Sequence, residues 1–233
     1  MRKGCRVSTV IPALNEERSI EKVLSALPGW IDEIVVADNG SSDRTGAVAA
    51  WHGARVVHEA RRGYGAACLA GLKAISVCDI VLFLDADFSD RPQEAPRLVD
   101  PIADGAADLV IGSRIRGDLT PGALTPQARF GNWLACRLLA LAWGQSFTDL
   151  GPFRAISCNA LKRLDMQDQD FGWTVEMQAR ALALGLTVQE VPVSYRPRIG
   201  KSKISGTLKG VIMAGTKILY TIAREALRPR ANR

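Results

Sequence analysis

One stretch, DIVLFLDAD at residues 79–87, constrains what this chain can fold into more than any other. Residues 80–84 are an unbroken apolar run, the pattern of a strand buried on both faces of a parallel sheet. Two carboxylates, Asp85 and Asp87, follow where that strand must end. In open α/β sheets the crevice beyond the carboxyl ends of the strands is the ligand-binding edge. Paired hard oxygens there suit Mg²⁺ or Mn²⁺, ions that use one or two carboxylates together with substrate phosphates. Taken alone, Asp-x-Asp fits equally a turn cap at Asp87 and a solvated strand end at Asp85.

The neighbouring segments supply the context. Residues 6–11 read as a first strand ended by Pro12, which cannot donate to a ladder. A helix to about Leu27 opens at Asn15-Glu16-Glu17, with cap and acids where a helix N-terminus favours them. Residues 33–37 form a second strand ending at Asp38, and residues 54–58 a third. The RRGYG segment at 61–65 then starts a helix, its Gly65 and arginines serving either a diphosphate or an ordinary turn. A proline-punctuated helix over 91–103 and a strand over 108–113, ending at Arg114, follow the central strand. Alternating strand and helix over 115 residues predicts a doubly wound, mostly parallel α/β sheet flanked by helices. Strand ends bearing Asp38, Asp85 and Arg114 are poor structural choices unless something binds there.

With 233 residues, 47% hydrophobic and 23% charged, the chain has material for one sizeable folded core. Residues 1–200 are expected to form the catalytic domain and 201–233 a basic amphipathic helix and tail. Residues 196–233 hold ten Lys/Arg against one acid, while the first 195 hold 20 Lys/Arg against 23 Asp/Glu. Such a tail suits an anionic partner, a membrane surface before nucleic acid, for which no binding motif is present. Five scattered cysteines without Cys-x-x-Cys predict buried thiols, no disulfide framework and a reducing compartment. The N-terminal apolar run, broken by Pro12 and Asn15, reads as a strand and not as a signal peptide.

The segments VIPALNEE, VVADNGSSDRT, RRGYGAA, FLDADFSD and VIGSRIRG, in this order, resemble family 2 glycosyltransferases of the GT-A fold. TDLGPFRAI, DFGWTVEMQ and RPRIGKSKISG resemble the branch with dolichyl- and polyprenyl-phosphate hexosyltransferases, so the likeness spans residues 6–206. The resemblance implies that Pro12, Ala13, Asn15, Glu16 and Asp38 hold the nucleoside, with Asp85 near the ribose and diphosphate. It makes Asp87 the principal metal ligand and Asp85 its neighbour, and puts Ser89 where relatives often carry Gln. Arg114 and Arg129 are matched to acceptor-phosphate contacts, Arg198 and Lys203 to a loop closing over the diphosphate. It implies inverting hexose transfer from a GDP-mannose or UDP-glucose type donor.

Such a transfer builds negative charge on the leaving diphosphate, which a cation neutralises. A hydroxyl acceptor needs a general base, whereas a phosphate monoester, with a second pKa of about 6, is already ionised at pH 7. Asp149 and Glu176 are the base candidates; a turn carboxylate and a helix partner of Arg180 are their structural alternatives. Arg114, Arg129, Arg154, Arg198 and Lys203 form a cationic set that favours phosphate. The apolar helix over 126–143 fits core or lipid groove. Residues 204–223 put Ile212, Ile218, Leu219 and Ile222 on one face and Lys209, Lys217 and Arg224 on the other. That helix either lies in a membrane interface or docks on the domain.

The expectation is a metal-dependent hexosyltransferase with a lipid-phosphate acceptor, cytoplasmic, peripheral to the inner membrane face, and open to homodimer formation. A hydroxyl-acceptor transferase is the alternative. A nucleotidyltransferase would need a Gly-rich basic loop after the first strand, where PALNE stands, and a non-catalytic nucleotide-sugar-binding module would be ruled out by metal-dependent transfer that is lost in Asp87→Ala.

Overall fold

The central strand β4 (Ile80–Phe83) is buried at every residue, and the molecule is layered around it. The computed structural model describes residues 1–76, 78–200 and 208–228. Seven strands join in the order β3-β2-β1-β4-β6-β5-β7, where β1 is Val7–Ala13, β2 Glu33–Asp38, β3 Arg55–His58, β5 Leu109–Ser113, β6 Arg154–Ser157 and β7 Val188–Pro192. β6 pairs antiparallel with both β4 and β5, and every other pairing is parallel. The predicted mostly parallel α/β sheet is therefore observed.

Side-chain alternation along these strands divides the core in two. Val7, Ile11, Leu82 and Leu84 pack with α1 (Ile20–Ala26), α2 (Thr45–Trp51) and α4 (Ala95–Ala103) on one face. Val10, Val81 and Phe83 pack on the other with α3 (Tyr64–Ala74), α5 (Pro126–Trp143), α6 (Cys158–Leu164) and α7 (Trp173–Ala183). Burying alternate residues on opposite faces is what the unbroken apolar run in β4 requires.

Boundaries near the carboxyl edge differ from expectation. β1 continues through Pro12 to Ala13. Its pairing with β4 stops at Val10, so proline sits outside the two-sided part of the ladder. The first helix begins at Ile20, not Asn15. Asn15 adopts φ +52°, a left-handed turn conformation that asparagine tolerates.

α8 (Leu208–Leu227) packs against α5 and α7, with Ile222 buried in the second core cluster. Of the two placements left open for this helix, docking on the domain is the one observed, with Lys217 and Arg224 turned toward it. Lys217 lies 3.1 Å from Asp168, Arg224 lies 2.7 Å from Glu176, and Glu225 pairs with Arg180. Buried acids on the domain draw the charged face inward, leaving Ile212, Met213, Leu219 and Tyr220 exposed. Among the described residues no helix is long and apolar enough to cross a membrane.

The cysteine reading is also overturned. Cys78 and Cys158, 80 residues apart, form a disulfide with a Cα–Cα distance of 6.5 Å. Antiparallel pairing of Ile80 with Ser157 brings them together, a juxtaposition that sequence spacing conceals. The compartment inferred from scattered thiols loses its support.

Candidate active site

Two cavities meet at the carboxyl edge of the sheet. The first, about 420 Å³, is lined by Pro12 and Ala13 at the end of β1, Glu16 beyond it, Asn39 after β2, Arg62–Tyr64 leading into α3, Asp85–Asp87 after β4, and Arg198. The second, about 750 Å³, lies between α5 and α8 and is walled by apolar groups including Pro126, Phe130, Leu134, Pro152, Ile218 and Leu219. Arg114 is its one charged lining residue among the described residues, and Tyr64 and Phe171 belong to both cavities.

In the polar cavity, Asp87 is held tightly. Its Oδ1 accepts from Ser89 N at 2.9 Å and Ser89 Oγ at 2.6 Å, and its Oδ2 lies 3.2 Å from Arg198 Nη1. Phe88 at φ +62° makes the turn that brings Ser89 back to this carboxylate. Arg198 also reaches Glu16 Oε1 at 2.6 Å, and Ile199 N bonds Asp87 O at 3.0 Å. The segment after β7 is thereby laid along the turn that follows β4.

Asp85 Oδ1 accepts from Tyr64 OH at 3.1 Å. Burial and then the charge of Asp87 raise the Asp85 carboxyl to about 7. Burial, followed by both neighbours, also pushes Asp90 well above the carboxylate range, and its buried Oδ1 has no hydrogen-bond partner among the described residues. Asp85 and Asp90 thus resist ionising, first through burial and then through the charge of their acidic neighbours. Among the described residues no three His, Cys, Asp or Glu side chains converge as a complete ligand set. The chain offers a divalent ion two hard carboxylates, Asp85 and Asp87, and leaves the remaining positions to phosphate oxygens and water. That donor set fits Mg²⁺ or Mn²⁺. Ser89, tied to Asp87, acts as an orienting group.

Arg114 is fixed by a salt bridge spanning both fork atoms. Its Nε donates to Asp149 Oδ2 and its Nη2 to Asp149 Oδ1, each at 2.7 Å. Burial opposes the charge of Arg114, but the charge and bonds of Asp149 outweigh it and raise its pKa. Glu190 accepts from Thr148 N and Asp149 N, at 2.9 and 3.0 Å, and the Tyr195 ring lies 5.0 Å beneath the guanidinium.

Several predicted site residues stand elsewhere. Asp149 is fully buried and both its oxygens bond Arg114, so in this structure it anchors that cation. Glu176 is likewise buried, bonded by Arg180 and Arg224 and by the backbone of Gln167 and Asp168. Arg154 turns inward to the carbonyls of Leu150, Gly151 and Thr174. Arg129 is exposed outside both walls, because helical periodicity turns Gln127, Phe130, Gly131 and Leu134 to the cavity instead. Asp38 accepts from Ser41 N and lies 3.3 Å from His58, while Asn15 accepts from Ser42. These two brace the edge that Asn39 and Glu16 line. Gly65 serves packing: a Cβ there would meet Asp168 O at 2.1 Å, and its N–H bonds Asp170 O. Lys203 lies outside the described residues.

Asn39, Tyr64 and Phe171 line the cavities without having been singled out. Asn39 directly follows Asp38 in the motif already noted. Tyr64 and Phe171 lie within RRGYG and DFGW but carry no charge to mark them.

The model of the family described as glycosyl transferase family 2 matches residues 8–164. An uncharacterized glycosyltransferase of Mycobacterium tuberculosis is 42% identical over 214 residues, spanning 91% of this chain and 95% of that protein. An undecaprenyl-phosphate mannosyltransferase of Micrococcus luteus is 31% identical over 251 residues, spanning 97% and 98%. The crystal structure of M. tuberculosis glucosyl-3-phosphoglycerate synthase with Mn²⁺, UDP-glucose and phosphoglyceric acid superposes with a TM-score of 0.79 at 28% identity, covering 97% of this chain and 81% of that one.

Proposed function

The chain belongs to glycosyltransferase family 2, and from that footing we propose that it moves a hexose from a nucleoside-diphosphate sugar to the phosphate of a polyprenyl-phosphate-type lipid. The observation that carries this reading is the apolar 750 Å³ cavity, with Arg114 as its one charged lining residue among those described, adjoining the polar cavity at Tyr64 and Phe171. A cation set in an apolar groove suits an acceptor that is itself an anion on a hydrocarbon chain.

The donor belongs to the polar cavity, its diphosphate facing Asp85, Asp87, Arg62 and Arg198. A divalent ion held by Asp85 and Asp87 neutralises the charge that grows on the leaving diphosphate. Arg198 now pairs with Glu16 and Asp87; in this reading it turns to the diphosphate when the donor enters. Asp149 takes Nε and Nη2 of Arg114, which leaves Nη1 for the acceptor phosphate. That phosphate is ionised at pH 7 and attacks without a base. The engagement of both base candidates in ion pairs supports this choice over a hydroxyl acceptor. Exposed Phe130 and Trp133 on α5, with Ile212, Leu219 and Tyr220 on α8, suit a membrane surface through which such an acceptor arrives.

The test is a matrix of GDP-mannose and UDP-glucose, with Mn²⁺ or Mg²⁺, against undecaprenyl phosphate and 3-phosphoglycerate. Thermal shift reports the donor, since stabilisation follows the logarithm of ligand concentration over its dissociation constant. Transfer to undecaprenyl phosphate is expected. Transfer to 3-phosphoglycerate alone sinks the lipid reading.

A further inference from the structure

We propose that Gly131 of α5 and Gly215 of α8 set the bore of the acceptor cavity, and that the slot they leave open takes the phosphate-proximal carbons of a linear prenyl chain. This rests on the lipid-phosphate reading and adds the residues that decide which acceptors fit. Both glycines line the cavity from helix interiors. Glycine is the weakest helix former after proline and is tolerated there mainly where another backbone must come close. Gly65 meets that condition, since a Cβ there would strike the Asp168 carbonyl oxygen at 2.1 Å. At Gly131 and Gly215 a Cβ meets no heavy atom of the described residues within 4 Å. Close packing therefore does not account for them. Their missing side chains leave open space, and both glycines are exposed along the cavity lining; on this proposal, side chains there would reach into the cavity.

The shape of the space follows. α5 lines it from Gln127 to Leu134, about 10 Å at 1.5 Å per residue. Ala128 and Ala214 continue the small-residue lining, while Phe130 and Leu219 are exposed at its edge. A short apolar slot that is continuous with the donor cavity and holds one cation matches a phosphate carrying a thin, unbranched hydrocarbon. A compact acceptor such as phosphoglycerate would leave the slot empty.

The experiment compares the full chain with Gly131→Leu, Gly215→Leu and the double variant. Leucine is a stronger helix former than glycine, so the helices should persist. The thermal shift given by UDP or GDP with Mn²⁺ reports whether the donor cavity is intact. KM for farnesyl and undecaprenyl phosphate should rise about ten-fold or more, with the nucleotide-induced shift unchanged and Gly→Ala variants between. Wild-type transfer to a prenyl phosphate, with KM unchanged in the double variant, overturns the bore assignment and leaves the acceptor reading standing. Loss of the nucleotide-induced shift in the Leu variants also overturns it, because the plug would not then be confined to the acceptor. A wild-type enzyme that glycosylates 3-phosphoglycerate and no prenyl phosphate overturns both.

Discussion

The two cavities that meet at Tyr64 and Phe171 are made from different parts of the fold. The polar one is built by strand ends: residues after β1, β2 and β4 deliver Glu16, Asn39, Asp85 and Asp87 to one edge. The apolar one is built by helix faces, with α5 and α8 supplying most of its wall and β5 supplying Arg114. Strand ends are fixed by a hydrogen-bonded ladder and hold charge in defined places, as a phosphate-handling site demands. Helix faces present side chains without such a frame, and their spacing can differ with little effect on the sheet. Under the proposed reading, the strand-built half would take the donor and the helix-built half the acceptor, so the second could vary while the first is kept. The phosphoglycerate-bound neighbour and the undecaprenyl-phosphate mannosyltransferase relative fit that division.

The largest effect expected is on the donor side. Asp87→Ala should lower transfer about 10³-fold by removing a metal-binding carboxylate, and should abolish the Mn²⁺-dependent part of the nucleotide thermal shift. A variant retaining near-normal, Mn²⁺-dependent turnover would break the account of this half.

Glu176→Gln should act on the scaffold that seats α8 against the acceptor cavity. Breaking a buried ion pair costs about 3 kcal/mol, so denaturant unfolding should show the loss while folded enzyme keeps its turnover. A drop of 10² or more in kcat with unchanged stability would restore Glu176 as a base.

The Cys78–Cys158 bond ties the start of β4 to the start of α6, away from both cavities. Cys158→Ser should reduce stability by about 2–3 kcal/mol and leave donor and acceptor KM alike unchanged. Alkylation of unreduced, denatured protein should label Cys5, Cys68 and Cys136 only.

The smallest effect is expected from Arg114→Lys. It should raise acceptor KM about ten-fold, since lysine cannot bridge Asp149 and a phosphate with one planar fork. Donor binding should not move, which separates the two halves most sharply.

The legible part of the site was its charge on strand ends. Asp85, Asp87 and Arg114 follow apolar runs too short and too buried to be anything but strands, so their place at the edge was readable. Asp149 and Glu176 misled because a carboxylate in a motif looks alike whether its partner is a substrate or an arginine distant in the chain. Arg114 lies 35 residues from Asp149 and Arg224 lies 48 from Glu176. Gly65 misled in the same way, since the Asp168 carbonyl it accommodates is about a hundred residues on. The charged face of α8 turned inward for a reason periodicity does not carry: Asp168 and Glu176 were already buried and needed cations.

The sequence by itself determined the alternation of strands and helices and the acidic tip of β4. Hydrophobic periodicity and the positions of proline, glycine and aspartate are local properties. Tertiary structure alone decided which carboxylates stay open to a ligand, which cysteines pair, and that α5 and α8 leave a groove beside Arg114. Those outcomes depend on which distant groups the sheet order brings within about 3 Å of one another, the range over which hydrogen bonds and ion pairs are made.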